Sequence, residues 1–278
     1  MRHYIAPAVL CAALAGAGCV INVDADQVVV REEKRFTAAA NAELSLSTFD
    51  GSIAVQAWDR PDVLVAIEKR GPDRETAAAL EVTAAQEGSR ITVAAVAPRV
   101  SREFVGIGNF SSPSVSFVVS VPRGLKITAH TRDGSVKATN TAGDLTVRTD
   151  DGSVRAEDVS GRVSLETGDG SIHADGRMDV LHAQTGDGSV VIDADEGSSM
   201  RGDWDVSTGD GSIVFRVPAN FSAEIDASSR DGSVRGDLAG LERTEDASGQ
   251  RSVRGRLGAG GHTVTLRSGD GSIRVVSR

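Results

Sequence analysis

Asp-Gly-Ser occurs eight times in this chain, at Asp50, Asp133, Asp151, Asp169, Asp187, Asp210, Asp231 and Asp270. The first three intervals after Asp133 are each 18 residues. A unit that short cannot bury an apolar face by itself, so neighbouring copies must stack and share a core. The repeat therefore constrains shape strongly and activity weakly.

The residues around each turn show how a copy is built. Six and four positions before the Asp, and three and five after it, lie four slots that hold an apolar side chain in 31 of 32 cases, Gly236 being the exception. Two before the Asp there is always a hydroxyl: Thr48, Thr131, Thr149, Thr167, Thr185, Thr208, Ser229 and Ser268. The intervening positions are mainly polar, with Ala54, Val191 and Val214 as departures. Alternation of period two on both sides of a turn predicts strand, turn, strand with one buried face. In the turn, Gly accepts a positive φ at little cost and Asp or Ser can bond nearby amides.

Two topologies satisfy that pattern. Asp-Gly closes two-residue hairpins in an antiparallel meander or sandwich. In a β-solenoid, each unit is one coil stacked on the next at about 4.8 Å. Burial favours the solenoid, because a lone meander leaves its apolar face uncovered while a coil folds two strands over a shared interior. The expected fold is thus all-β, a β-helix-like stack of strand-turn-strand units.

Residues 27–278 are expected to form this repeat domain, irregular over 56–124 and regular over 125–278. Within the irregular part, strands are predicted at Val63–Lys69, Glu81–Ala85, Ile91–Ala97 and Val115–Val121, with a short helix at Asp73–Leu80. Segments 98–113 and 237–261 read as loops and candidate contact surfaces. Val121-Pro122 before Ile127 and Val217-Pro218 before Ile225 open similar stretches, an echo of a larger duplicated unit.

Residues 1–18 read as an export signal: Arg2, then an apolar run from Tyr4 to Ala17 that is too short to span a bilayer. The run ends in Ala-Gly-Ala-Gly-Cys19 and resembles a bacterial lipoprotein signal with its lipobox, although Gly16 stands where a branched residue is usual. That resemblance implies acylation of Cys19, a tether over 19–26, and a lipid-anchored envelope protein, at the outer membrane. The only other cysteine, Cys11, falls within the leader, so no disulfide is expected. A net charge of −9 with no basic cluster argues against nucleic-acid binding. Aromatics are only 4%, which suits a thin core of small β-formers.

Together, the leader, the Val-Pro segments and the serial units resemble a bacterial envelope family of candidate adhesins built from β-strand repeats. The resemblance covers residues 40–278 and implies a β-helix-like fold outside the cytoplasm. It brings no catalytic residues, and no cofactor is expected. The role it implies is structural or adhesin-like, with the membrane as one partner and an envelope protein or glycan as another; a sensor serving a signalling partner is the alternative.

Specific chemistry has few candidates. A stacked Asp ladder could attract calcium, as acidic β-rolls do, but the opposite turns carry no regular acidic set. Solvated turn carboxylates are therefore expected. A polysaccharide-binding or polysaccharide-cleaving β-helix would need charges gathered on one face, and Arg148, Arg155, Glu166 and His173 are the outward residues that could supply them. His130, His173, His182 and His262 lack metal-ligand spacing, although His173 and His182 could approach across a coil. Trp58 and Trp204 are expected in the core or a cap.

Overall fold

A computed structural model describes residues 20–24, 27–39, 41–97, 112–245 and 251–278. The expected leader, Cys19 and most of segment 98–113 lie outside the described residues.

The described chain opens with an antiparallel pair, β1 (Val20–Asp24) and β2 (Gln27–Thr37). Strands β3 (Glu43–Thr48) and β4 (Ile53–Trp58) flank the first Asp-Gly-Ser. The irregular part supplies β5 (Asp62–Gly71), helix α1 (Arg74–Ala79), β6 (Val82–Glu87), β7 (Arg90–Ala95) and β8 (Ser114–Pro122). All four expected strands and the helix are present. The regular part gives β9 (Lys126–Thr131), β10 (Val136–Thr139), β11 (Ala142–Thr149) and β12 (Val154–Thr167). It continues with β13 (Ile172–Thr185), β14 (Val190–Ala194), β15 (Trp204–Thr208) and β16 (Ile213–Val217). Last come β17 (Ala223–Ser229), β18 (Val234–Gly236), β19 (Leu241–Glu245), β20 (Arg251–Leu257), β21 (Thr263–Ser268) and β22 (Ile273–Ser277).

The solenoid reading holds. The two strands beside each Asp-Gly-Ser do not pair with one another; each pairs in parallel with its counterpart one rung away. Strands before the turns make a first sheet in the order β7, β3, β9, β11, β12, β13, β15, β21, β17. Strands after the turns make a second sheet in the order β8, β4, β10, β12, β13, β14, β16, β22, β18. Strands β12 and β13 serve both sheets, and their mutual register shifts twice at the corner, once by an extra residue in β12 after Ala156 and once by an extra residue in β13 after Met178. Parallel pairing needs a crossover between strands, and here the opposite sheet provides it.

Between the sheets lies the core. All 31 apolar residues in the four repeat slots are at most 3% exposed. The widest filling stands late in the column, where Trp204, Phe215 and Phe221 meet with ring centroids 5.7 to 6.0 Å apart. Edge-on and tilted aromatic contacts of this kind add to simple area burial.

Two features depart from the expected organisation. First, β7 and β8 form a rung of their own without Asp-Gly-Ser, burying Ile91, Val93, Phe117 and Val119 outside the first turn-bearing rung. Second, the rung of Asp270 does not end the column. Its strands β21 and β22 are inserted between those of Asp210 and Asp231.

The ends are closed. At the first end, α1 packs on β2 and β5, burying Ala77, and β6 adds antiparallel to β7. Asp73 caps the helix by accepting from the Thr76 amide at 2.7 Å. At the other end β20 pairs antiparallel with β17 and β19 with β20, and Val253 and Leu257 are buried there. The expected protruding loop 237–261 is thus largely a capping hairpin, because β17 would otherwise leave its edge and the last core layer open. Likewise, residues 20–24 of the expected tether pair with β2 as an edge strand.

Candidate functional site

The turn edge repeats one arrangement from rung to rung, and that regularity comes from the buried hydroxyls. Each one bridges two rungs. Thr149 Oγ1 donates to the Gly134 carbonyl at 3.0 Å, Thr167 to Gly152 at 2.7 Å, Thr185 to Gly170 at 2.8 Å and Thr208 to Gly188 at 2.8 Å. The series continues with Ser268 to Gly211 at 3.0 Å and Ser229 to Gly271 at 2.8 Å, which traces the out-of-order stacking independently of the strands. Hydroxyls 7% exposed or less that both donate and accept satisfy groups which otherwise carry a desolvation cost.

The glycine of each turn has a different reason from the one expected. Of the eight, only Gly51 has a left-handed backbone, at φ +126°. The others are needed for closeness. A Cβ on Gly152 would lie 1.9 Å from the Gly134 carbonyl oxygen, and one on Gly170 would lie 2.1 Å from that of Gly152. Rungs stacked at strand spacing leave no room there for a methyl group.

Glycine and hydroxyl together present the Asp side chains outward as a file, one for each rung that carries Asp-Gly-Ser. Asp50 is the most enclosed: burial, and then the Asp133 carboxylate beside it, push its carboxyl above the ordinary range. Among the described residues, no group of three or more His, Cys, Asp or Glu is arranged to hold a metal ion.

The outward charges considered for catalysis are dispersed. Arg148 and Glu166 lie on the first sheet and pair with each other at 2.8 Å. Arg155 and His173 lie on the second sheet, where Arg155 approaches Glu157 at 3.6 Å and His173 approaches Asp175 at 3.6 Å. His173 and His182 do not meet: they stand on opposite sheets, and His182 faces Asp205 at 3.7 Å. The bend of β13 between them explains the separation. Trp204 is buried as expected, whereas Trp58 is only half-buried, with Arg60 4.9 Å from its ring centroid.

A family profile described as Toastrack DUF4097 matches residues 37–276, which includes every rung. The chain belongs to the Toastrack DUF4097 family. Among solved structures, it is similar to a candidate cell-adhesion protein from Clostridium sporogenes, at 13% identity over 89% of this chain and 100% of that one, with a TM-score of 0.38. It is also similar to a candidate adhesin from Bacteroides fragilis, at 10% identity over 89% and 97%, TM-score 0.31. A third is a candidate lipid-binding protein from Parabacteroides distasonis, at 11% identity over 88% and 96%, TM-score 0.35. No curated protein matches the chain.

The edge of this Toastrack column opposite the turns carries clefts that sequence reasoning missed. One, of about 570 Å³, is lined by Arg177, Asp195, Glu196, Pro218, Ala219 and Arg278. A second, of about 360 Å³, shares Pro218 and Ala219 and is mainly apolar, with Val217, Phe221, Leu238 and Leu257 in its lining. They form where β16 leaves for the displaced rung and β22 returns beside it. The inserted rung completes them, setting Arg278 and Ser277 beside the residues that follow β16, and the local sequence does not carry that neighbourhood. Among the described residues, no helix is long and apolar enough to cross a membrane.

Proposed function

We propose that this chain is an exported, non-catalytic binding protein of the cell envelope, held at the outer membrane through an acylated Cys19, with an adhesin-like role toward an envelope protein or glycan. The observation that carries this reading is the distribution of chemistry over the column. Charged side chains are engaged with oppositely charged neighbours on adjacent rungs, as in Arg148–Glu166, Lys137–Glu157 and Arg216–Asp193. The residues that hydrolysis would need in one place stand on opposite sheets. A rigid body with closed ends suits presentation of a surface, and the joined clefts at the far edge offer a mixed charged and apolar contact.

The anchoring half is tested by metabolic labelling with a fatty-acid precursor in cells expressing the wild type or Cys19→Ser. Label confined to the wild type supports the anchor; equal label, or none in either, overturns it. The binding half is tested with purified residues 20–278 on whole cells and immobilised envelope glycans, beside an Arg177→Glu variant. Saturable binding weakened by the variant supports the reading. Release of new reducing ends from a polysaccharide substrate overturns the non-catalytic assignment.

A further inference from the structure

The eight turns repeat a dipeptide with its own covalent chemistry. In Asp-Gly, the glycine amide nitrogen can attack Cγ of the preceding carboxyl group. The new N–Cγ bond closes a five-membered succinimide, and the amide proton leaves with the carboxyl hydroxyl as water. A water molecule then reopens the ring at either carbonyl. Opening at Cγ restores aspartate; opening at the main-chain carbonyl gives isoaspartate, with the backbone routed through the β-carbon. The sequence has eight such pairs, and nothing local distinguishes them.

The structure does distinguish them. In six turns the amide that would attack is already held: Gly152, Gly170, Gly188, Gly211, Gly232 and Gly271 each donate to the hydroxyl three residues earlier at 2.9 to 3.3 Å. To reach Cγ, such an amide must rotate out of its peptide plane and give up that bond inside a tightly stacked edge. Gly51 and Gly134 have no such bond among the described residues. The Thr48 and Thr131 hydroxyls keep the donation across rungs that the other six also make, to the Val115 carbonyl at 2.7 Å and the Gly51 carbonyl at 3.1 Å, but lack the amide bond. Gly51 alone among the eight also has the left-handed backbone.

We propose that Asp50–Gly51, followed by Asp133–Gly134, are the sites of spontaneous aspartate isomerisation in this protein, and that the hydroxyl ladder protects the other six pairs. The order within this pair has a reason. Water is the leaving group only from the protonated carboxyl, and burial together with Asp133 favours that form at Asp50. The damage would concentrate at one end of the column. Isoaspartate at residue 50 adds a methylene to the turn joining β3 and β4, next to the rung of β7 and β8.

The test is slow ageing of the folded chain in mildly acidic buffer, followed by digestion. Isoaspartate is located by electron-transfer fragmentation and by labelling with an isoaspartyl carboxyl methyltransferase. Isoaspartate at residues 50 and 133 should exceed that at 151, 169 and 187 by about five-fold, the factor corresponding to one hydrogen bond's worth of protection. In urea the eight sites should age alike. Thr149→Ala should raise isomerisation at Asp151, and Thr149→Ser should restore protection. Should the alanine variant fail to fold, Asp50→Asn and Asp151→Asn give a faster readout through the same ring closure, with the Asp50→Asn chain expected to deamidate first. Equal rates at all eight sites of the folded chain, or faster reaction at 151 than at 50, overturn the proposal.

Discussion

The middle of the column and its two ends follow different rules. From β9 to β16 the chain climbs one rung at a time, and neighbours in space are neighbours in sequence. At the first end it lays down β3 and β4, moves outward through β5, α1 and β6 to build the rung of β7 and β8, and returns on the inner side with β9 and β10. At the other end it leaves a rung's width open, builds β17 and β18, caps them with β20 and β19, and fills the gap with β21 and β22. Repeat proteins are held mainly by nearest-neighbour interfaces, and terminal units fray first. Here the last strands of the described chain are flanked on both sides, so fraying of the chain end and fraying of the column end are separate events. The rearrangement also replaces 18-residue contacts with contacts over about 60 residues, which slows folding.

The sharpest way to break this comparison is to push two rungs apart. Gly170→Ala places a methyl carbon 2.1 Å from the Gly152 carbonyl oxygen, where neither backbone can give way. A loss on the order of 4 kcal/mol or outright misfolding is expected, the range reserved for severe packing errors. At the cap, Gly88→Ala meets nothing within 4 Å, and its φ of +60° carries only the strain of a left-handed residue, about 1 kcal/mol. Denaturant titration of both variants gives the contrast. Similar losses would mean that rung spacing is not what the repeat glycines protect.

Position in space is separated from position in sequence by Ile273, near the end of the chain but inside the column. Ile273→Ala should lose about 3 kcal/mol, like Ile172→Ala in the middle and unlike a fraying terminus. Leu257→Ala, in the capping hairpin and 6% exposed, should lose less. If Ile273→Ala proves the mildest of the three, the inserted rung is not held from both sides.

The hydroxyl ladder predicts a smaller effect with a built-in control. Thr167→Val keeps the shape but strands the Gly152 carbonyl and the Gly170 amide, for a loss of about 2 kcal/mol. Thr167→Ser should recover most of it, as Ser229 and Ser268 already do in their rungs. Equal melting of the valine and serine variants would show that methyl packing, and not the bridge, holds the turn.

What was legible in the sequence was everything local to one rung: the phase of the buried slots, the turn, the hydroxyl, and the strands of residues 56–124. What was not legible depends on which rung lies next to which. The pattern around Asp270 is the same whether its rung ends the column or sits inside it. The rung of β7 and β8 was hidden because Ile91 and Phe117 stand on either side of a long segment with no Asp-Gly-Ser between them. The true reason for the turn glycines lies in a carbonyl on the neighbouring rung, so a single turn suggests φ and misses contact. For the far-edge clefts, the repeated Val-Pro was the one available signal, since Pro218 lies where β16 leaves the regular stack.

The gentlest probe uses two carboxylates at the first end whose environments act in opposite directions. Asp50 is raised by burial and by Asp133, so the folded state holds its proton longer than the unfolded chain. Stability from this group therefore falls as pH rises through the window between its ordinary and raised values, and stays lower above it. Asp133→Ser removes the second cause, and should stabilise the protein at neutral pH while changing nothing in strong acid. Glu68 behaves in the reverse sense. Burial raises it, but the hydrogen bonds and charges of Arg31 and Arg70 prevail and leave it lowered. Its contribution is present above the ordinary glutamate value and is lost as pH falls through the lowered one, so Glu68→Gln should destabilise at neutral pH and be silent in acid. Both effects should stay below about 1 kcal/mol, because these groups are partly solvated. Denaturation midpoints across pH for the two variants should therefore diverge from wild type in opposite directions at neutral pH and converge in acid; parallel curves would mean that neither carboxylate differs between the folded and unfolded states.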